Sequence, residues 1–96
     1  MITRKALKEF AARYRAADVP LDSWHRVAKK AQWQNITDVR ADYPHPDAVG
    51  KCTVFNIGGN KYRLIVKIEY RKQMIFIKYV LTHAEYNREE WKHGCR

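Results

Sequence analysis

Positive charges recur at even-numbered spacings in the stretch KYRLIVK (residues 61–67), which is typical of a β-strand. Lys61, Arg63 and Lys67 are separated by even numbers of residues, so an extended chain projects them from the same face. Clustered cations bind phosphate groups, and the planar guanidinium of arginine can hold two phosphate oxygens at once. The spacing therefore predicts a surface that binds a polyanion.

The distribution of charge supports the same prediction. The 96 residues include 19 Lys+Arg and 10 Asp+Glu, a formal net charge of +9. Residues 51–83 hold seven basic residues and one acidic residue, Glu69, so most of the excess lies in this segment. A localised basic excess favours a nucleic-acid partner over a merely solubilising surface. The length predicts a single domain, residues 1–96, and the 46% apolar content argues against wholesale disorder.

Two kinds of element must position these charges. In the first half, apolar residues recur at helical spacing in a first helix that Pro20 interrupts, a second helix, and one further turn that ends at Pro44 and Pro46. In the second half, residues 52–57, 61–70 and 74–82 predict three strands, and the polar residues 84–93 a short helix. We therefore expect an α+β fold, with the helices on one face of a small antiparallel sheet.

The two turns decide which side chains share the other face. A two-residue turn at Gly58-Gly59 would pair Phe55 with Tyr62 on the helix-covered face and place Asn56 beside Lys61 on the other. A turn at Arg71-Lys72 would bring Lys78 beside Ile65. The predicted basic face then consists of Asn56, Lys61, Arg63, Lys67 and Lys78. An ordinary solvated face is the alternative, but such a face usually mixes charges of both signs.

Other features narrow the class of protein. Cys52 and Cys95 are expected to be free thiols, because we expect a reducing cytoplasm: the start of the chain lacks a secretory signal and no apolar run could span a membrane. The four histidines show no ligand spacing with each other or with the cysteines, so we expect no structural metal.

Two motifs follow one another in the second half of the chain, VFNIGGNKYRLIV (54–66) and FIKYVLTHAEYN (76–87), and the segments TRKAL, SWHRVAKKAQW and DVRADYP lie upstream. In these segments the sequence resembles the HigB family of toxins from bacterial toxin–antitoxin systems. The resemblance implies a RelE-like fold, with a short first strand around residues 1–3, whose sheet cradles RNA. It also implies an endoribonuclease that cuts mRNA, typically on the ribosome, and a HigA-like helix-turn-helix antitoxin as partner. We expect the toxin alone to be a monomer that forms a larger assembly with the antitoxin.

The implied reaction fits the residues present. The RNA 2′-OH can attack the adjacent phosphate, so the protein must only orient the bond, assist proton transfer and stabilise the growing charge, without a cofactor. Arg63 is assigned to phosphate stabilisation with Lys61 in support, while Asn56, Lys67 and Lys78 are assigned to RNA binding. His83 and Tyr86 are candidates for acid–base chemistry. Alternatively, His83 caps the strand end, and Tyr86 either anchors the tail as a packed ring or stacks on a base.

Two other functions compete with cleavage. The basic face could bind RNA or the ribosome without cutting, under the control of a partner protein. It could also exist to receive an acidic segment of an antitoxin. The motif pair favours the endoribonuclease.

Overall fold

An antiparallel sheet of four strands, preceded by three helices, forms the body of the molecule in a computed structural model that describes residues 5–43, 45–59 and 61–95. The helices are α1 (Lys5–Arg13), α2 (Asp18–Lys30) and α3 (Ile36–Asp42), with a 3₁₀ helix (Arg15–Ala17) before α2. The strands are β1 (Asp47–Val49), β2 (Cys52–Ile57), β3 (Tyr62–Glu69) and β4 (Met74–Thr82), in that order across the sheet. A C-terminal tail follows, made of α4 (His83–Asn87) and a second 3₁₀ helix (Glu90–Cys95). The predicted α+β fold is confirmed.

The main core lies between the N-terminal helices and one face of the sheet, which we call the helix face. Phe55 of β2 is its centre: the ring centroids of Trp24, Trp33 and Tyr43 lie 5.4, 6.3 and 5.4 Å from that of Phe55. Aromatic rings at these separations gain contact energy beyond the burial of their surface. This packing fixes the helices on the sheet. Within the described ranges, every helix is too short or too polar to cross a lipid bilayer.

Pro20 does not divide the first two helices as the sequence suggested. α1 has already ended at Arg13, and Pro20 lies in the first turn of α2, which begins at Asp18. The backbone N–H groups of a first turn have no partner within the helix, so proline costs little there. α3 begins after Asn35, whose side chain accepts a hydrogen bond from the backbone N–H of Asp38 at 3.1 Å.

The described residues include a fourth strand, β1, that sequence analysis did not predict. β1 pairs antiparallel with β2 (Ala48 with Thr53), and Gly50, at φ 57°, lies in the turn between them. Three residues before a turn give too short a pattern for sequence analysis to detect. The strand expected around residues 1–3 lies outside the described residues.

The first long hairpin has the predicted faces but a different register. β2 ends at Ile57 and β3 begins at Tyr62, so Phe55 pairs with Leu64 instead of Tyr62, and Asn56 pairs with Arg63 instead of Lys61. Gly58 and Gly59 have φ values of 64° and 61°, which glycine adopts readily. The shift equals two residues, the side-chain period of a strand, so no side chain changed face.

The second hairpin departs from the prediction at a bulge. Glu69 pairs with Met74 and Val66 with Ile77, as a turn at Arg71-Lys72 requires. A register shift between Ile65 and Val66 then places Tyr79 opposite Ile65, and Lys78 is the extra residue. The prediction that Lys78 lies beside Ile65 is therefore wrong, because bulges insert one unpaired residue.

The prediction of two free thiols is also wrong. Cys52 and Cys95 form a disulfide, with their Cα atoms 5.2 Å apart, although 43 positions separate them in the sequence. The tail folds back across the sheet face opposite the helices, which we call the tail face. There Trp91 and Cys95 pack against Cys52, Val54 and Ile65 in a second buried cluster. The tail brings the two sulfur atoms together, which spacing alone could not indicate.

Candidate active site

The functional candidates meet at one end of the sheet, where β3 begins and β4 ends. The backbone N–H of His83 donates a hydrogen bond to the carbonyl oxygen of Lys61 at 3.2 Å. In the next rungs of the sheet, Tyr62 pairs with Thr82, and Arg63 pairs with both Asn56 and Leu81. Strand pairing therefore gathers residues 56, 61, 63 and 83, which lie far apart in sequence. We call this group, together with Tyr86, the strand-end cluster.

Arg63 forms the floor of the strand-end cluster. It lies on the predicted face of β3, opposite the helices, but only 9% of the residue is exposed. Its Nη1 atom donates a hydrogen bond to the carbonyl oxygen of Tyr62 at 3.2 Å, and its Cζ atom lies 5.1 Å from the centroid of the Tyr86 ring. The guanidinium stays charged when buried, and low dielectric surroundings strengthen its attraction for an anion that reaches it. Arg63 is thus held in one orientation beneath the tail.

Tyr86 lies between two partners. Its ring faces Arg63 on one side and stacks on Trp91 on the other, with centroids 5.0 Å apart and planes inclined by 15°. The Trp91 indole N–H donates to the carbonyl oxygen of Tyr86 at 2.9 Å. This geometry is the one expected if Tyr86 is a packed ring that anchors the tail. Sequence reasoning missed Trp91, although a tryptophan within an otherwise polar tail is a signal of a buried anchor.

His83 is exposed at the first position of α4. Its Nδ1 atom lies 3.2 Å from the amide nitrogen of Asn87, one turn later. An amide that donates to Nδ1 leaves the proton on Nε2, which is then a hydrogen-bond donor. The reversed amide accepts from Nδ1–H and leaves Nε2 as a base. Asn87, which sequence reasoning did not select, can therefore set the tautomer of His83.

A capping box fixes the start of α4, the helix that carries both His83 and Tyr86. The Thr82 hydroxyl accepts from the backbone N–H of Glu85 at 3.3 Å, and the Glu85 carboxylate accepts from the Thr82 backbone N–H at 3.0 Å. The bond from the Thr82 backbone, more than any other cause, holds the pKa of Glu85 below its usual value of 4.5. These reciprocal bonds orient the helix against the end of β4.

The remaining basic candidates differ in position. Lys61 is exposed within the strand-end cluster. Lys67 lies four residues further along β3, about 13 Å away from Arg63, and its Nζ atom pairs with the Glu69 carboxylate at 3.1 Å. Lys78 lines a cleft between β4 and α1 instead of joining the others. The structure therefore brings together Asn56, Lys61, Arg63, His83 and Tyr86, but not Lys67 or Lys78. Within residues 5–43, 45–59 and 61–95, no group of three or more His, Cys, Asp or Glu could hold a metal ion.

Comparison with known proteins identifies the family. The model of the HigB_toxin family, described as the RelE-like toxic component of a toxin–antitoxin system, matches residues 17–89. The chain belongs to this family. The family prediction made from the two motifs is confirmed, and membership implies a cognate antitoxin as partner.

Curated relatives cover most of the chain. The mRNA interferase toxin HigB of Escherichia coli (strain K12) is 31% identical over 90 residues, which cover 91% of this chain and 86% of the relative. The mRNA interferase HigB of Shigella flexneri gives the same values. The mRNA interferase HigB of Escherichia coli O6:H1 is 29% identical over 91 residues, which cover 92% of this chain and 88% of the relative. The names of these relatives agree with the prediction of an endoribonuclease.

Proposed function

We propose that this protein is a toxin that inhibits translation by cutting mRNA on the ribosome, through attack of a ribose 2′-OH on the adjacent phosphate. One structural observation carries the proposal: strand pairing brings two cations, Lys61 and Arg63, together with His83 at one end of the sheet. The names of the curated relatives support the same activity.

The reaction needs no nucleophile from the protein. The 2′-oxygen forms a bond to phosphorus while the bond from phosphorus to the 5′-oxygen breaks. The 2′-OH proton leaves to a base, and the departing 5′-oxygen gains a proton. The products are a 2′,3′-cyclic phosphate and a 5′-OH end. His83 serves one or both proton transfers, and its hydrogen-bond partner Asn87 selects the tautomer.

In the proposed reaction, Lys61 and Arg63 stabilise the charge that develops on the phosphate. Negative charge grows on the non-bridging phosphate oxygens in the transition state, and pre-oriented donors stabilise it without further reorganisation. Arg63 is pre-oriented by the Tyr86 ring and by its bond to the Tyr62 carbonyl. Lys61, which is exposed, adds a more mobile charge. Tyr86 acts mainly through Arg63, since both of its ring faces have protein neighbours.

The partners follow from the proposed function. We propose a HigA-like helix-turn-helix protein as the cognate antitoxin, and mRNA together with the ribosome as the target in the cytoplasm. The toxin alone is expected to be monomeric and to enter a larger assembly with its antitoxin. Asn56 is proposed to contact RNA beside the scissile bond, and Lys67 to contact it about 13 Å further along β3.

One observation favours the competing function of RNA binding without cleavage. Arg63 is only 9% exposed, so a phosphate must approach it past Tyr86. In that case Lys61 and Lys67 would bind phosphates and nothing would be cut. The two functions differ in whether new RNA ends form.

Primer extension on an mRNA in a translating extract tests the proposal. We expect new 5′ ends when the protein is added, and none at a codon whose scissile nucleotide carries 2′-O-methyl. The matched control is the same mRNA with 2′-O-methyl two codons away, which should still be cut. Cutting of the methylated site would exclude the 2′-OH mechanism. Binding to ribosomes without any new ends would support the competing function.

A further inference from the structure

Two aromatic rings of the edge strand β4 remain exposed on the molecule. Phe76 is 42% exposed and Tyr79 is 36% exposed. Among the described residues, Val19 at the start of α2, 74% exposed, is the other large apolar side chain in this class. Phe76 and Tyr79 lie three residues apart on one strand, whereas Val19 lies on a helix that packs on the opposite face of the sheet. Single exposed apolar residues are common on protein surfaces, but two exposed aromatic rings close together on one strand can mark a binding site.

The bulge in β4 puts both rings on the tail face. Residues three apart in a regular strand point to opposite faces. Here Phe76 pairs with Lys67 and Tyr79 with Ile65, and the extra residue between them is Lys78. Gly94 of the tail confirms the side on which Tyr79 lies, because a Cβ atom built there would be 2.7 Å from the Tyr79 hydroxyl. The bulge therefore puts both rings on the tail face, and the missing side chain of Gly94 leaves room for Tyr79.

We propose that Phe76 and Tyr79 are a base-stacking platform for single-stranded RNA that leads away from the strand-end cluster. This inference rests on the proposed function, since it supplies the RNA that is to be cut. Ile65 and Lys67, the strand partners of the two rings, are two and four residues from Arg63, or about 7 and 13 Å along β3. The step of about 7 Å between the rings is twice the 3.4 Å rise of a stacked strand. The bound bases are therefore splayed apart, as in the recognition of single-stranded RNA on sheet aromatics.

Charge favours RNA over a protein partner on this surface. Lys67, which also pairs with the Glu69 carboxylate, lies directly across from Phe76, and Arg71 and Lys72 add two exposed cations in the turn at the end of the same hairpin. Glu85 and Glu90 line the groove between Tyr79 and the tail together with Arg88, so the phosphates run on the side of Lys67. Rings interleaved with cations suit a strand of bases and phosphates. Two rings alone are far smaller than the surface that a stable protein interface buries.

Fluorescence anisotropy with a single-stranded RNA, labelled with fluorescein and 2′-O-methylated throughout so that it cannot be cut, tests the platform. Phe76→Leu and Tyr79→Leu keep an apolar side chain and remove the ring. We expect each to raise the Kd by about fivefold to a hundredfold, the range for loss of one stacked base. Phe76→Trp and Tyr79→Phe keep a ring and should bind within about twofold of the original protein. Val19→Ser is the matched control at an exposed apolar residue elsewhere. The slope of log Kd against log salt should not change, because no charge is removed.

The outcomes separate the platform from the proposed function. If both leucine variants bind this RNA as well as the original protein, the platform is excluded. Leucine variants that keep RNA binding but no longer bind the cognate antitoxin would assign the rings to a protein interface and overturn the proposal. In the translating extract, the leucine variants should need more mRNA for half-maximal cutting and retain their maximal rate. Failure of cleavage by the original protein would count against the proposed function alone, because binding of the uncuttable RNA is measured without it.

Discussion

At the scale of single residues, the main finding is that Arg63 is buried instead of exposed to solvent. A guanidinium on the wet face of a sheet would contribute little to stability, and its replacement would be nearly neutral. Here Arg63 is held between the sheet and Tyr86, so replacement has two consequences. It should change both the activity and the free energy of unfolding, and these can be measured separately.

Arg63→Gln should lower the free energy of unfolding by about 1–2 kcal/mol, because the variant loses the cation–π contact and leaves polar groups poorly paired. Cleavage should fall by about 100-fold or more if the charge acts in the transition state. Urea denaturation measures the first effect, and primer extension below the unfolding range measures the second. Arg63→Lys keeps the charge without the planar fork and should retain an intermediate rate. A stable glutamine variant with normal cleavage would remove Arg63 from the mechanism.

At the scale of elements, the tail decides the shape of the site. α4 supplies His83 and Tyr86, and the second 3₁₀ helix supplies Trp91 and closes the disulfide with β2. Both α4 and the 3₁₀ helix are too short to be stable alone, since helices of this length are marginal in water. Their positions depend on the capping box at one end and on the cross-link at the other.

The disulfide between Cys52 and Cys95 should stabilise the protein by about 4 kcal/mol, the chain-entropy value for a loop of this length. Reduction by a dithiol should lower the urea midpoint and loosen the Trp91 ring from Tyr86, with a change in tryptophan fluorescence. The protein with both Cys52→Ser and Cys95→Ser should show the lower midpoint and no response to reductant. An unchanged midpoint after complete reduction, checked by thiol titration, would show that the tail docks without its cross-link.

Glu85→Gln should show how the cap of α4 depends on pH. The folded pKa of Glu85 lies below its unfolded value of 4.5, so its charge stabilises the fold fully above pH 4.5 and loses this effect as the pH falls through the folded pKa. The difference in unfolding free energy from the original protein should be about 0.5 kcal/mol at neutral pH, since the group is exposed, and should vanish in acid. Glu90→Gln is the matched control. A difference that grows in acid would contradict this account.

At the scale of the whole molecule, the two faces of the sheet contact different parts of the chain. Its helix face holds the large aromatic core, and its tail face carries the proposed site beside the C-terminal tail. The net charge of +9 favours a polyanion at any orientation, while the strand-end cluster gives the position at which it would be cut. Family membership adds that such a protein acts under the control of a cognate antitoxin.

Expression of the chain in bacteria should arrest growth, and co-expression of the cognate antitoxin should restore it. Arg63→Gln, produced at the same soluble level, should permit growth if arrest results from cleavage. Colony counts and growth curves measure both effects, with Val19→Ser as a folded control that should still arrest growth. Normal growth with abundant folded protein would argue against a toxin.

The sequence by itself determined three of the four described strands, the faces of β2 and β3, and the family. Alternating apolar residues specify which face of a strand is buried, and this pattern survived a register shift of two residues because the strand period is two. The motifs likewise pointed to Arg63 and His83 without any coordinates.

Only the tertiary structure shows what covers the tail face of the sheet. Cys52 and Cys95 meet because the tail crosses the sheet, and no local pattern encodes the path of a short polar segment. The bulge in β4 moved Lys78 away from Ile65 and brought Phe76 and Tyr79 onto one face. One extra residue in a β-strand hardly changes the pattern of apolar residues in the sequence. It nevertheless moves the side chains that follow it in the strand to the opposite face of the sheet. Burial of Arg63 follows from that cover, because exposure depends on neighbours distant in sequence.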